Sequence, residues 1–165
     1  MPETETVVRE NTRSAIRKLL AEDSELIEDQ TNERTVGCRL AQYLERIFEP
    51  RYKADADYNR HGSQVKTLEG RNISVDIVVH ERHRDDRNIL AVELKKAGKA
   101  EADDRSRLMN ITDKTRSVPN EIYGYDQGLF LKFLHDSRRR IYARLSWFKN
   151  GVEDSAEDLY AVNPH

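Results

Sequence analysis

Apolar residues along the chain are grouped in short runs, and the spacing within each run predicts a helix or a strand. Good helix formers with apolar residues on one side predict a first helix over 3–21. A second helix over 32–49 is predicted because Asn32 is a suitable N-cap and Pro50 stops the helix. The polar residues 22–31 are expected to connect the two helices.

Three strands are predicted after the second helix. Residues 51–58 alternate apolar and polar side chains, as a half-buried strand does, and residues 59–70 are expected to form a polar loop. The runs 73–80 and 89–94 are apolar and rich in β-branched residues. Residues 81–88 between them are charged or polar, so we expect the two strands to form a hairpin.

A third helix and two more strands follow. The helix is predicted over 101–111, after a break at Gly98, and its expected inner contacts are Leu108, Met109 and Ile111. Strands are predicted over 124–133 and 141–148, and we expect them to pair in antiparallel orientation. No element is expected in the acidic tail after Gly151. The element order predicts a mixed α/β arrangement.

The length and composition predict one small folded domain. A chain of 165 residues can bury a hydrophobic core, and its 37% hydrophobic and 35% charged content indicates a small core with a highly solvated surface. We therefore predict a single domain over 1–165. Its parts are the N-terminal helix 3–21, a core over about 32–133, and a C-terminal strand and tail over 138–165.

Charge and cysteine content narrow the classes of function. The net charge is −2, but residues 81–150 carry 16 Lys and Arg against 11 Asp and Glu, a distribution that suits phosphate contacts or, alternatively, solvated Arg-rich faces. Cys38 is the only cysteine, which excludes an internal disulfide and a cysteine-based zinc cluster. No apolar run approaches the roughly 20 residues of a membrane span, so we expect a cytoplasmic protein without membrane contact.

Three charged residues interrupt the two apolar strands of the predicted hairpin. Asp76 lies within the first strand, and Glu93 and Lys95 lie at the end of the second. Because side chains alternate faces along a strand, Glu93 and Lys95 share one face. Pairing of the two strands would bring both carboxylates and the lysine to one side of the sheet.

Charges in buried strands are costly to desolvate unless they are paired or hold a metal ion. Two neighbouring carboxylates make an oxygen-rich site that suits Mg²⁺ or Mn²⁺, and a nearby ammonium can orient a water molecule or stabilise phosphate charge. The alternative is a buried salt bridge between Lys95 and one or both acids. The spacing of the three residues does not decide between these interpretations.

Asp76 followed by Glu93-Leu94-Lys95 on the next strand resembles the motif of the PD-(D/E)XK nuclease superfamily. The resemblance extends over about 32–133, because the core of that superfamily has the order helix, three strands, helix, strand. The motif is short, and Val75 stands at the place of its proline, a position that varies widely in the superfamily. Three short segments also look similar to uncharacterised bacterial members: Arg39-Leu40-Ala41, Tyr58-Asn59-Arg60 and Glu93-Leu94-Lys95-Lys96.

The resemblance implies a restriction-endonuclease-like α/β fold, with a mixed central sheet of four or five strands flanked by helices and an extra N-terminal helix. It implies a nuclease that uses Mg²⁺ or Mn²⁺ to hydrolyse nucleic acid. The resemblance favours DNA over RNA as the substrate, and defence or repair as the biological context. Asp76 and Glu93 would hold the metal, and Lys95 would assist water attack. A homodimer, a subunit of a larger assembly and a non-catalytic binding or scaffolding subunit of the same fold all stay open.

Many members of this superfamily also use a glutamate from the first core helix, and Glu33 and Glu45 are the two candidates. At about 100° per residue, Glu33 lies on the centre line of the apolar face of the helix and Glu45 lies on its flank. We therefore predict Glu33 as the fourth catalytic residue. Its alternative role is that of a first-turn acid that favours the helix dipole.

Basic residues that flank the predicted site are candidates for phosphate contacts, namely Arg60, Lys66, Lys96 and Lys99. Gln127, on the fourth predicted strand, is a further candidate for substrate binding, because superfamily members can place a polar residue there; a surface glutamine is the alternative. Asp103 and Asp104 open the third helix, where we interpret them as acids that favour the helix dipole or cap the helix.

Overall fold

The computed structural model of the chain describes residues 3–29, 32–61, 64–84, 86–118 and 121–162. Its helices are α1 (Glu5–Glu22), α2 (Ser24–Glu28), α3 (Glu33–Phe48) and α4 (Ala102–Thr112). Its strands are β1 (Lys53–Tyr58), β2 (Arg60–His61), β3 (Gln64–Val65), β4 (Thr67–Leu68), β5 (Arg71–Asn72), β6 (Val75–His80), β7 (Asn88–Lys96), β8 (Gln127–His135), β9 (Ile141–Lys149) and β10 (Val152–Leu159). None of the helices in this described part combines the length and apolar character needed to cross a membrane.

Six of the strands form one mixed sheet in the order β1-β6-β7-β8-β9-β10. Neighbouring strands are antiparallel except β7 and β8, which run parallel because α4 carries the chain back between them. The short strands form two separate ladders, β2 with β3 and β4 with β5. The chain is therefore an α/β protein with a mixed six-stranded sheet.

The sheet separates two layers of helices. On one face, α1 and α3 cover the larger core, which includes the alternate β7 residues Leu90, Val92 and Leu94. On the other face, α4 packs through Leu108 and Ile111 against a smaller core. Because side chains alternate along β7, its charged residues at the intervening positions face α4 rather than the larger core.

Most of the predicted elements are confirmed. The helices predicted over 3–21 and 32–49 correspond to α1 and α3, and the Asn32 side chain accepts a 2.8 Å hydrogen bond from the backbone N–H of Thr35. Strands β6 and β7 form the expected hairpin, and β8 and β9 form the expected antiparallel pair. With the two-residue strands set aside, α3, β1, β6, β7, α4 and β8 follow one another in the predicted order.

The prediction that the tail after Gly151 lacks an element is wrong. Residues 152–159 form β10, so the sheet has six strands rather than four or five. The alternation of apolar and polar residues is missing there because β10 is an edge strand that is exposed along most of its length. Its carboxylates are partnered by arginines, in the pairs Arg9–Asp154, Arg13–Glu157 and Arg144–Asp158.

Two segments that the sequence predicts as connections contain short elements. The polar stretch 22–31 includes α2, and the polar loop 59–70 includes β2, β3 and β4. Residues 30–31 and 62–63 of these segments lie outside the described residues. Neither the five-residue helix nor the two-residue strands are long enough to show a hydrophobic period.

Met109 is not an inner contact of α4, because 38% of its surface is exposed. Leu108 and Ile111 are fully buried, and they define the face of the helix that packs on the sheet. Met109 lies about 100° around the helix from Leu108, which turns it towards solvent.

Packing of α3 on the sheet is expected to supply a large part of the stability. Leu40 is fully buried in the larger core, so Leu40→Ala should lower the free energy of unfolding by about 2–5 kcal/mol through lost burial and a cavity. Urea denaturation measures this change. Cys38→Ala, at an exposed position of the same helix, is the matched control and should change stability by less than about 0.5 kcal/mol. Equal effects of the two substitutions would contradict this packing.

Candidate active site

The hairpin of β6 and β7 brings two carboxyl groups together on the face of the sheet that α4 covers. Its register pairs Ile77 with Val92, so Asp76 and Glu93 are the next residues along the two strands. One oxygen of Asp76, Oδ2, accepts a 2.8 Å hydrogen bond from the backbone N–H of Leu94. The Glu93 carboxyl group and the Asp76 carboxylate are joined by a hydrogen bond as well.

Burial determines the protonation of this carboxyl pair. Glu93 is only 1% exposed, and burial, followed by the charge of Asp76, raises the pKa of Glu93 well above its usual value. Burial also raises the pKa of Asp76, and the charges of Asp104 and Glu33 act in the same direction. Because two adjacent carboxylates repel each other, the pair favours a state in which Glu93 keeps its proton and donates a hydrogen bond to the Asp76 carboxylate.

Helix α4 supplies charged partners for both motif residues of β7. Lys95 Nζ lies 2.8 Å from Asp104 Oδ2, and the hydrogen bond to Asp104 raises the pKa of the lysine, which therefore stays charged. Arg107 Nη1 donates to Glu93 Oε1 at 2.9 Å and lies 3.4 Å from Asp104 Oδ1. The four side chains form a continuous chain of hydrogen bonds and ion pairs between α4 and β7.

Two members of this group were missed by the reasoning from sequence. Asp104 is only 8% exposed and binds Lys95, so its role is more than that of a helix-dipole acid. No prediction from the sequence names Arg107. The available signal was the spacing of 104 and 107, because residues three apart lie on the same side of a helix. When a helix packs back over the strand that precedes it, such a pair can face that strand.

Glu33 reaches the end of β7 from the first turn of α3. Its Oε1 accepts a 3.0 Å hydrogen bond from the backbone N–H of Lys96. Its charge raises the pKa of both Asp76 and Lys95, after the larger effects described above. The structure thus brings Glu33 towards the predicted catalytic residues. Glu45, the other candidate on this helix, forms an ion pair with Lys53 at 3.4 Å instead.

The predicted substrate contacts differ in their exposure to solvent. Lys96 and Lys99 line a cleft beside Glu33, and Arg60 is exposed on β2. Lys66 is only 2% exposed; its ammonium donates to the backbone carbonyl of Arg60 and lies 4.4 Å from the centre of the Tyr58 ring. The burial of Lys66 makes it inaccessible to a phosphate in this conformation.

Gln127 lies outside this group of charged residues. It is only 2% exposed, and its Oε1 accepts a 3.0 Å hydrogen bond from Arg9 Nε on α1. Its side chain therefore points to the α1 face of the sheet, whereas the carboxyl pair faces α4. The glutamine serves as an internal partner for an arginine, and it is neither the surface residue nor the substrate contact considered from the sequence.

The carboxyl pair offers two oxygen ligands for a metal ion. Within the described ranges of the chain, no group of three or more His, Cys, Asp or Glu side chains is arranged to hold a metal. Magnesium commonly binds through one or two carboxylates and keeps several waters, which a substrate phosphate can replace. The buried Glu93 and the partly buried Asp76 fit such a site, because a divalent cation would offset the desolvation and the acidic charge that raise their pKa values.

Comparison of the chain with protein-family models, with curated proteins and with solved structures finds no match. The positions and charges of the residues themselves are then the basis for a function.

Glu93→Gln should stabilise the metal-free protein more at about pH 8 than at about pH 5. The pKa of Glu93 is higher in the folded than in the unfolded chain, so the wild type loses stability as the pH rises from the unfolded pKa towards the folded one. Glutamine stays neutral and avoids this loss. Urea denaturation of both proteins with EDTA measures the difference, and a difference that does not grow with pH would contradict the raised pKa.

Proposed function

We propose that the protein is a metal-dependent nuclease that hydrolyses phosphodiester bonds of nucleic acid. The observation that carries the proposal is the convergence of Asp76, Glu93 and Lys95 on one face of the β6–β7 hairpin. The carboxyl pair is desolvated and its pKa values are raised, and the ammonium beside it is held in place by Asp104. Such a set of groups suits the hydrolysis of a phosphodiester by a metal-activated water.

The order and pairing of the elements support the finer description of the fold as restriction-endonuclease-like. Helix α3, strands β1, β6 and β7, helix α4 and strand β8 follow the order expected of that core. The four strands are neighbours in one mixed sheet, and α3 and α4 cover its opposite faces. In this description, α1, β9 and β10 are additions to the core.

Asp76 and Glu93 are the residues that would hold Mg²⁺ or Mn²⁺. The ion would supply a Lewis acid for the phosphate and lower the pKa of a bound water. Lys95 presents a charged ammonium beside this pair, where it can donate to the attacking water or to a phosphate oxygen. Glu33 extends the acidic side of the site at the end of β7, and Lys96 and Lys99 add positive charge for the substrate backbone.

The nucleic acid is proposed to be DNA rather than RNA, on the resemblance of the motif alone. The same resemblance leaves open a homodimer and a subunit of a larger assembly.

A second candidate is a non-catalytic binding or scaffolding subunit with the same fold. One specific observation favours it: Arg107 already binds Glu93, and Asp104 already binds Lys95. Charges that are paired within the protein can be purely structural. The two candidates differ in their response to metal ions, because structural ion pairs need none.

The wild type should cleave nucleic acid only when Mg²⁺ or Mn²⁺ is present. Asp76→Asn removes a metal ligand and Lys95→Ala removes the ammonium, so each should lower the cleavage rate at least about 100-fold. Gel assays with plasmid, linear and single-stranded DNA, and with RNA, measure the rates. Lys18→Ala, at an exposed position of α1, is the control and should cleave like the wild type. Metal-independent binding without cleavage, unchanged by either site substitution, would instead favour the non-catalytic subunit.

Metal binding can be tested without activity. Mg²⁺ or Mn²⁺ should raise the melting temperature of the wild type over that in EDTA, because a ligand that binds only the folded state stabilises it. Asp76→Asn should lose this response, whereas Asp29→Asn, an exposed position after α2, should keep it. Differential scanning fluorimetry gives the shifts, and the same response in all three proteins would exclude Asp76 as a ligand.

A further inference from the structure

A cleft of about 380 Å³ opens beside the charged group, next to the beginning of α3 and the ends of β7 and β8. Its volume is within the range of roughly 300–1,000 Å³ that is usual for small-molecule sites. Glu33 and Lys95 form part of its wall, so the cleft is continuous with the proposed catalytic residues. A bound group would therefore lie directly beside the proposed chemistry.

The cleft is lined by both apolar and charged residues. The apolar lining residues are Ile27, Val36, Leu94, Ala97 and Phe133. Val36 and Leu94 are buried, and Phe133 is partly buried against the larger core, so the core holds its ring in place. The charged and polar lining residues are Glu33, Lys95, Lys96, Lys99 and His135. With Lys95 paired to Asp104, the other two lysines outnumber the one carboxylate of the lining, which favours an anionic occupant.

Two lysines of the cleft, Lys95 and Lys99, differ in whether an acid is already paired with them. Lys95 is already bound to Asp104. Lys99 is exposed and forms no ion pair with any residue in the described part of the chain. Glu33 already accepts a hydrogen bond from the backbone N–H of Lys96, so one of its carboxylate oxygens is engaged within the protein. The cleft therefore combines an available ammonium with an aromatic surface.

We propose that this cleft binds one unpaired nucleotide of the substrate, with its base against Phe133 and its phosphate towards Lys99 and Lys96. A nucleotide has a flat ring, which suits Phe133, and an anionic phosphate, which suits the lysines. This inference rests on the proposed nuclease function and adds the substrate class to it. Aromatic side chains and basic residues combine in this way in proteins that bind single strands.

The proposal has a consequence for the form of the substrate. In a duplex the bases are stacked and paired, and a base reaches a pocket only after it has been extruded at a cost. A single strand or an unpaired end presents its bases without that cost. The substrate class is therefore single-stranded nucleic acid, or a duplex with an unpaired end.

Fluorescence anisotropy with a labelled single-stranded hexanucleotide of DNA and with its blunt duplex, both in EDTA, tests this without activity. The single strand should bind about tenfold more tightly than the duplex. Phe133→Leu keeps the apolar character but removes the aromatic ring, and it should weaken single-strand binding about tenfold while leaving duplex binding unchanged. Equal binding of the two probes, or a Phe133→Leu variant that binds the single strand like the wild type, would overturn the proposal.

Lys99→Ala keeps the test valid if the phenylalanine variant folds poorly, because position 99 is exposed. It should weaken single-strand binding by a few fold and reduce its salt dependence, since one phosphate contact is lost. Lys18→Ala removes the same charge from α1 and should bind like the wild type. Loss of binding in both lysine variants to the same extent would show a non-specific charge effect and contradict the site.

Isothermal titration with small probes separates a nucleotide site from other anion sites. Deoxyadenosine monophosphate should bind in a Phe133-dependent manner, and adenosine and inorganic phosphate should each bind more weakly. If octanoate competes as well as the nucleotide, the cleft takes a hydrophobic anion and the proposal is wrong.

Asp76→Asn distinguishes a failure of this inference from a failure of the proposed function. It should bind the single-stranded probe like the wild type while losing cleavage. Cleavage of duplex by a protein whose single-strand binding does not depend on Phe133 would refute only the inference. Binding that depends on Phe133, with no metal-dependent cleavage, would refute only the nuclease.

Discussion

Two neighbouring carboxyl groups at the end of the β6–β7 hairpin, one buried and one partly buried, are the constraint on which the site depends. Each would be more stable in water, and each disfavours ionisation of the other, so the fold carries an unfavourable contribution unless a proton or a cation is present. Arg107 on α4 offsets part of this unfavourable contribution by binding Glu93. Asp104 is a further acid that lies between that arginine and Lys95. The docking of α4 on the sheet and the charge balance of β7 are therefore coupled.

The fold follows from the sequence where the hydrophobic pattern is strong. The hairpin could be predicted because its two apolar runs are separated by charged residues, and α3 because an Asn cap and a proline mark its ends. Strand β10 could not, because it is an acidic edge strand held by backbone pairing with β9 and by arginines distant in sequence. Short-range patterns carry no information about such partners.

The residues of the candidate site were predictable to the extent that strands and helices fix side-chain directions. Alternation along β7 gave the common face of Glu93 and Lys95, and helical phase gave the inward direction of Glu33. Arg107 depends on how α4 crosses the sheet, which no local pattern determines. Lys66 and Gln127 show the opposite error, because a polar residue near a motif can be committed to an internal hydrogen bond.

The acidic edge strand β10 also limits how copies of the chain can associate. An open edge exposes backbone groups that could continue the sheet into a second molecule. Along β10, however, a second copy in antiparallel pairing would bring rows of carboxylates against one another, and like charges on facing strands are destabilising. The ion pairs with Arg9, Arg13 and Arg144 tie these acids to their own chain. A second copy that paired along β10 would therefore have to accommodate or rearrange these ion pairs.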